Sequence, residues 1–137
     1  MSEESTTADL EVQRFVDACN ARDFDAVTSF YAPAALVEGA LSTYEGRSAV
    51  RGLYEGWVVA YEDVEFDVEE TRDLGRGVAF VVFAWRGRPR ASSGWVQIRV
   101  AAVLTLADGL IERQRDYTDI DQARAAAERL AQERADG

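Results

Sequence analysis

At Tyr61 the hydrophobic period of this chain changes. Upstream, apolar residues recur every three to four positions; from residue 64 to residue 117 they alternate one by one. A period of about 3.6 buries one stripe of a helix, whereas a period of two buries one face of a strand. One break therefore separates a helical half from a sheet half. A last segment, DQARAAAERLAQERA, is helical again. Helices kept apart from an antiparallel run make an α+β domain rather than a doubly wound one. The length, 137 residues, suits one domain with a single core.

Residues 1–7 are polar and acidic and read as a flexible tail, with the domain over residues 8–137. TTADLEVQRFVDACNARD sets Val12, Phe15, Val16 and Cys19 at helical spacing, with Thr6 or Thr7 as cap. DFDAVTSFYAP reads as a second, short helix, capped by Asp23, with Val27, Phe30 and Tyr31 turned inward and Pro33 ending it. AALVE is a short strand and GALSTYEG a loop. GRSAVRGLYEGWVVAY places Val50, Leu53, Tyr54, Trp57, Val58 and Tyr61 on one helical stripe. Its two glycines, Gly52 and Gly56, each cost a helix about 1 kcal/mol relative to alanine. Close packing on a sheet would explain them.

Downstream, VEFDVEETRD alternates as a half-buried strand should, and GVAFVVFAWRG, apolar on both faces, reads as a central strand. RPRASSG is a turn-rich connection, and the Arg-rich stretch RGRPR is a local positive spot that reads as a solvated turn. WVQIRVAAVLTL and LIERQRDYTD form a hairpin through ADG. Asp119 and Gln122 make a capping box for the last helix.

The formal net charge of −10 argues against nucleic acid, which needs a cationic footprint, and against anionic membrane surfaces. The start of the chain lacks the basic and apolar regions of a leader, and no apolar run reaches the ~18 residues of a membrane span. A single cysteine, Cys19, excludes an internal disulfide and fits a reducing, cytoplasmic setting. The chain has no histidine. That removes histidine-based triads and histidine metal sites. Acid–base chemistry must come from groups such as Asp, Glu, Tyr or Cys, tuned by burial.

The phrases FVDACNARDFDAVTSFYAP, YEGRSAVRGLYEGW and VLTLADGLIERQRDYTDID, in this order and spacing, resemble the SnoaL-like branch of the nuclear transport factor 2-like superfamily. The resemblance spans about residues 8 to 130. It implies a curved antiparallel sheet wrapped around helices into a cone, open at one end to a pocket. Function does not follow from such a fold, which hosts enzymes, binding proteins and interaction modules alike.

Three enzyme types with this fold can be tested by position. In limonene-epoxide hydrolases the last strand carries RDY and a further Asp, matched here by RDYTD and Asp116. Their middle-strand Arg and Asp fall near Phe83 and Trp85, and their water-holding Tyr and Asn near Val37 and Gly39. The ketosteroid isomerase oxyanion Tyr falls at Phe15, its base at Gly39 beside Glu38, and its pocket Asp near Ala101. Neither set is complete. Polyketide cyclases of the SnoaL type ask only for a pocket Asp, with no metal and no cofactor, and Asp116 meets that requirement.

Alternation puts Glu112, Gln114 and Asp116 on one strand face and Arg113, Arg115 and Tyr117 on the other. The resemblance turns the first group toward the pocket, with Asp116 as acid–base group, Gln114 as its orienting neighbour, and Tyr54 or Tyr61 as a donor. The structural alternative for Asp116 is a buried carboxylate bonded to a Tyr hydroxyl or paired with an Arg. Glu38 and Glu112 read as surface and rim charges. The implied lining is Phe15, Cys19, Val37, Tyr54, Trp57, Tyr61, Phe83, Trp85, Ile98 and Val100. Arg99, Arg113 and Arg115 share faces with Ala101, Val103 and Tyr117, which suits a homodimer through the sheet.

The reading is a protein that binds a small hydrophobic or aromatic molecule, with acid–base turnover of the isomerase, cyclase or hydrolase type as its extension. The alternatives are a carrier without chemistry and a non-catalytic dimerisation module whose pocket is filled.

Overall fold

A computed structural model describes residues 3–39 and 42–136, with side chains from residue 11 onward. The elements run α1 (Glu3–Ala21), α2 (Phe24–Ser29), β1 (Tyr31–Glu38), β2 (Thr43–Glu45), α3 (Arg47–Ala60), β3 (Tyr61–Gly75), β4 (Val78–Pro89), β5 (Val96–Ala107), β6 (Leu110–Tyr117) and α4 (Ile120–Asp136). The strands form one sheet in the order β2-β1-β6-β5-β4-β3. The sheet is antiparallel except where β1 runs parallel to β6. Among the described residues no helix is long and apolar enough to cross a membrane.

Cross-strand partners on the inner face form rows. Phe66, Trp85 and Ile98 make one row, and Val68, Phe83 and Val100 the next. Val81, Ala102 and Asp116 follow, then Ala79, Leu104, Gln114 and Val37. The last two rows close against the first three helices, which contribute buried Cys19, Val27, Val50 and Tyr54. On the outer face, Val78, Phe80, Val82, Ala101 and Val103 pack under Ala123 and Ala127 of α4. Both faces of β4 are thus covered, which is why its first half is a continuous apolar run.

Polar contacts hold the ends. Asp23 caps α2, its Oδ1 accepting from the Ala26 N–H at 3.1 Å. Asp119 caps α4 in the same way, accepting from the Gln122 N–H at 3.0 Å. Arg124 anchors α4 by donating to both Glu70 oxygens at 2.8 and 3.2 Å. The β5–β6 hairpin turns at Asp108 and Gly109, with φ of 54° and 78°, the left-handed pair a type I′ turn requires.

Four expectations change. α1 begins at Glu3, ahead of Thr6 and Thr7, whose capping side chains lie outside the described residues. α2 stops at Ser29, and Pro33 lies inside β1 instead of ending the helix. It falls between Tyr31 and Leu36, where the register with β6 shifts, so its missing N–H interrupts no regular ladder. The 39–46 loop contains β2, which pairs with residues 36–38; Ala40 and Leu41 lie outside the described residues. Finally, α4 covers Ala101 and Val103, so those outer-face residues need no second copy to bury them.

Gly52 and Gly56 are exposed, and a Cβ built at either meets nothing within 4 Å. Close packing on the sheet is therefore not their reason. Replacing both with alanine should stabilise α3 by about 0.5–1 kcal/mol each, because only backbone entropy separates the two residues there. Chemical denaturation of the Gly52→Ala, Gly56→Ala double variant measures it. A loss of stability would show that the glycines meet a constraint absent from this packing.

Candidate functional site

The site is set by a register slip in β6. Leu106 pairs with Ile111 but Thr105 with Arg113, so Glu112 is an extra residue. Such a bulge breaks strict alternation. Ile111 and Gln114, three apart, both face inward, and Asp116 follows Gln114 two residues on. Glu112 does not share their face. It is exposed and lines the outer cleft between β6 and α4 with Arg113 and Arg115.

Inside, four side chains form a hydrogen-bonded chain. The hydroxyls of Tyr54 and Tyr31 are 2.8 Å apart. Tyr31 donates to Gln114 Oε1 at 2.6 Å, and Gln114 Nε2 donates to Asp116 Oδ1 at 2.9 Å. Tyr31 is fully buried and Gln114 nearly so. Burial pushes both tyrosine hydroxyls well above their ordinary range, so they stay protonated. Asp116 Oδ2 has no protein donor among the described residues, and it is not sealed from the accessible surface.

Asp116 borders a cavity of about 330 Å³. Seven of its twelve lining side chains are aromatic. Val96 and Ile98 line it while remaining 42% and 45% exposed, so they form its rim. Burial pushes the Asp116 carboxyl up to about 6, and the hydrogen bond from Gln114 offsets that only in part. A carboxylate so placed accepts and returns a proton near neutrality without extreme driving force. Among the described residues, no cluster of three metal-ligating side chains occurs.

The structure gathers Phe15, Tyr54, Trp57, Tyr61, Phe83, Trp85, Ile98, Val100, Gln114 and Asp116 around this cavity. Two expected lining residues lie elsewhere. Val37 is fully buried in the core, directly beside Gln114 on the neighbouring strand. Cys19 lines a separate, small crevice behind Tyr54, and burial pushes its thiol up to about 12, which makes it inert. Glu38 pairs with Arg113 at 2.6 Å and does not line the cavity. Tyr54 cannot serve as a donor to a ligand while its hydrogen is held by Tyr31.

Sequence reasoning missed Phe66, Val96 and the role of Tyr31. Phe66 is the direct strand partner of Trp85 and was findable from that register. Tyr31 reads as inward-facing in the sequence, but its hydroxyl partners come from residues 23 and 83 positions away. The Trp85 indole N–H is buried without a partner among the described residues.

The sequence model of the SnoaL-like domain family matches residues 12–114. Comparison with curated proteins gives no match. Solved structures share the fold. An LEH-like epoxide hydrolase of Mycobacterium tuberculosis is 21% identical, with a TM-score of 0.70 over 92% of each chain. A protein described as a SnoaL-like polyketide cyclase, from Jannaschia sp. CCS1, is 20% identical with a TM-score of 0.70, covering 93% of this chain and 96% of that one. A second M. tuberculosis protein, in complex with estradiol-17beta-hemisuccinate, is 17% identical with a TM-score of 0.70, covering 83% and 95%.

Keeping Asp116 ionised costs stability. Its folded pKa lies above the ordinary value of 3.8, so between about pH 4 and pH 6 the native state holds a proton that the unfolded chain has released. Stability from this group is greatest at low pH and falls as pH rises through 6, by up to ~3 kcal/mol. Asp116→Asn keeps the Gln114 bond without the charge. The stability difference between variant and wild type, measured by urea unfolding, should grow in the variant's favour from pH 4 to pH 7. A difference that stays flat with pH would mean the carboxylate is solvated.

Proposed function

The chain belongs to the SnoaL-like domain family, and from that premise we propose that it binds a small, largely apolar molecule in the aromatic cavity and uses Asp116 as acid–base group. One observation carries this reading: among the described residues a single carboxylate, neutralised by no arginine, opens onto a cavity of ligand size at the end of a buried hydrogen-bond chain. Small-molecule sites begin at about 300 Å³. A cavity of this volume supports ligand binding over a module whose side chains fill the space. The steroid hemisuccinate held by a structural neighbour supports a hydrophobic ligand.

Asp116 would take a proton from a bound carbon acid or hydroxyl and return it. Gln114 fixes the orientation of Oδ1, and Tyr31 and Tyr54 fix Gln114, leaving Oδ2 toward the ligand. The reaction class is an isomerisation, cyclisation or hydrolysis that needs no metal and no cofactor. The first half of β5, with Val96 and Ile98 exposed and Trp95 exposed just before it, favours this edge over the α4-covered face as the seat of any homodimer.

Ligands are found by thermal shift, since a molecule bound only by the native state stabilises it by about 2.7 kcal/mol at a hundred times its Kd. Val100→Phe, which adds volume inside the cavity, should abolish the shift while the protein stays folded. Any ligand bearing an acidic C–H is then followed by NMR in deuterated buffer. Wild type should exchange that proton and Asp116→Asn should not. Exchange that survives in the variant removes Asp116 from the chemistry, and absence of exchange in wild type leaves a carrier.

A further inference from the structure

The polar end of the cavity is one-sided. Tyr31 has a single hydroxyl hydrogen, and Gln114 Oε1 takes it at 2.6 Å. In the 2.8 Å contact between the two tyrosines, Tyr54 must therefore be the donor. A ligand meeting Tyr54 finds lone pairs and no proton. Asp116 Oδ2 offers lone pairs as well. The indole N–H of Trp85 is buried without a partner and presents no accessible surface to a ligand. One amide hydrogen of Gln114 is spent on Asp116; its second amide hydrogen and the Tyr61 hydroxyl are the neutral donors left in the lining.

No cation relieves that excess of acceptors. The chain has neither lysine nor histidine, and among the described residues no arginine lines the cavity. The arginines on either side of Gln114 face the other way. Arg113 pairs with Glu38 at 2.6 Å, and Arg115 lies over the Tyr117 ring at 5.2 Å. The rings that wall the cavity are tilted to one another. Tyr54 meets Trp57 at 87° with centroids 5.3 Å apart, Trp57 meets Trp85 at 53° and 6.1 Å, and Tyr61 meets Trp85 at 86° and 5.0 Å. Aromatic faces carry partial negative charge, so a cation lying over one of these rings is attracted to it. The net charge of −10 draws cations from solution in addition.

A neutral ligand can give Asp116 at most a hydrogen bond, and an anionic one leaves the buried charge without a partner, which is costly. A positively charged one supplies that partner. We infer that the cavity selects organic cations: an amine whose ammonium group sits on Asp116 and whose hydrocarbon part lies against Trp57, Phe83 and Trp85. This rests on the reading of the cavity as a ligand site and adds the sign of the ligand's charge; it does not require turnover. The volume of about 330 Å³ suits an amine built on a single ring system.

Three probes of matched shape test it: 2-phenylethylamine, 2-phenylethanol and phenylacetate, titrated by calorimetry at pH 7.5 in low salt. The amine should bind about tenfold or more tighter than the alcohol, with phenylacetate weakest. Asp116→Asn should weaken the amine by about tenfold and leave the alcohol within about threefold. Val100→Phe should remove binding of both, which separates the cavity from general attraction to an acidic surface. Equal binding of amine and alcohol, or amine binding that is indifferent to Asp116→Asn or to Val100→Phe, overturns the cation selectivity while the cavity reading stands on the alcohol. If none of the three binds wild type, both readings fall together.

Discussion

Four hydrogen-bonding side chains buried in an apolar interior are tolerable only if each finds a partner, and this requirement ties the domain together. Tyr54 comes from α3, Tyr31 from β1, and Gln114 with Asp116 from β6. The chain they form crosses the parallel β1–β6 junction, where Val37 sits beside Gln114. Removing one member strands its neighbour, at a cost of ~1–3 kcal/mol for each group left unpaired. The packing of the helices on the inner face and the pairing of the first strand with the last therefore support one another. The same arrangement brings the carboxylate to the cavity wall.

Much of this was readable from the residues. The break at Tyr61 separates helices from meander, and the caps at Asp23 and Asp119 and the turn at Asp108 and Gly109 lie where their local chemistry requires. Local rules failed where a distant partner decides. Pro33 reads as a helix stop until β6 lies alongside with a shifted register. Gly52 and Gly56 suggest a close neighbour that is not there. In the site, alternation assigns Gln114 and Asp116 to one face correctly but carries Glu112 with them, because a bulge leaves no mark in composition. The hydroxyl partners of Tyr31 were out of reach for the same reason, since no local pattern encodes a bond between residues 83 positions apart.

The distribution of charge gives the cavity its contrast. Each arginine of the RGRPR stretch has a partner, although the sequence suggests a solvated turn. Arg86 meets Glu65 and the Trp95 ring, and Arg88 meets Glu62 and Asp63. Arg90 donates to the carbonyls of Val58 and Val59 at 3.0 and 2.8 Å, closing the end of α3. These exposed pairs add little individually. Their effect is to keep these cations at the rim and outside; among the described residues the interior carboxylate shares the cavity with rings, three aliphatic side chains and one amide.

The extra residue at Glu112 has a wider consequence. Were Glu112 paired regularly instead of bulged, Ile111 would dictate, two by two, everything beyond it, and Arg113 and Arg115 would point into the cone. With the bulge, the strand is read in two phases. The first phase answers to the core, the second to the cavity, and each half is free to change its inward side chains without committing the other. A single unpaired residue thus lets one strand serve both the core and the cavity wall.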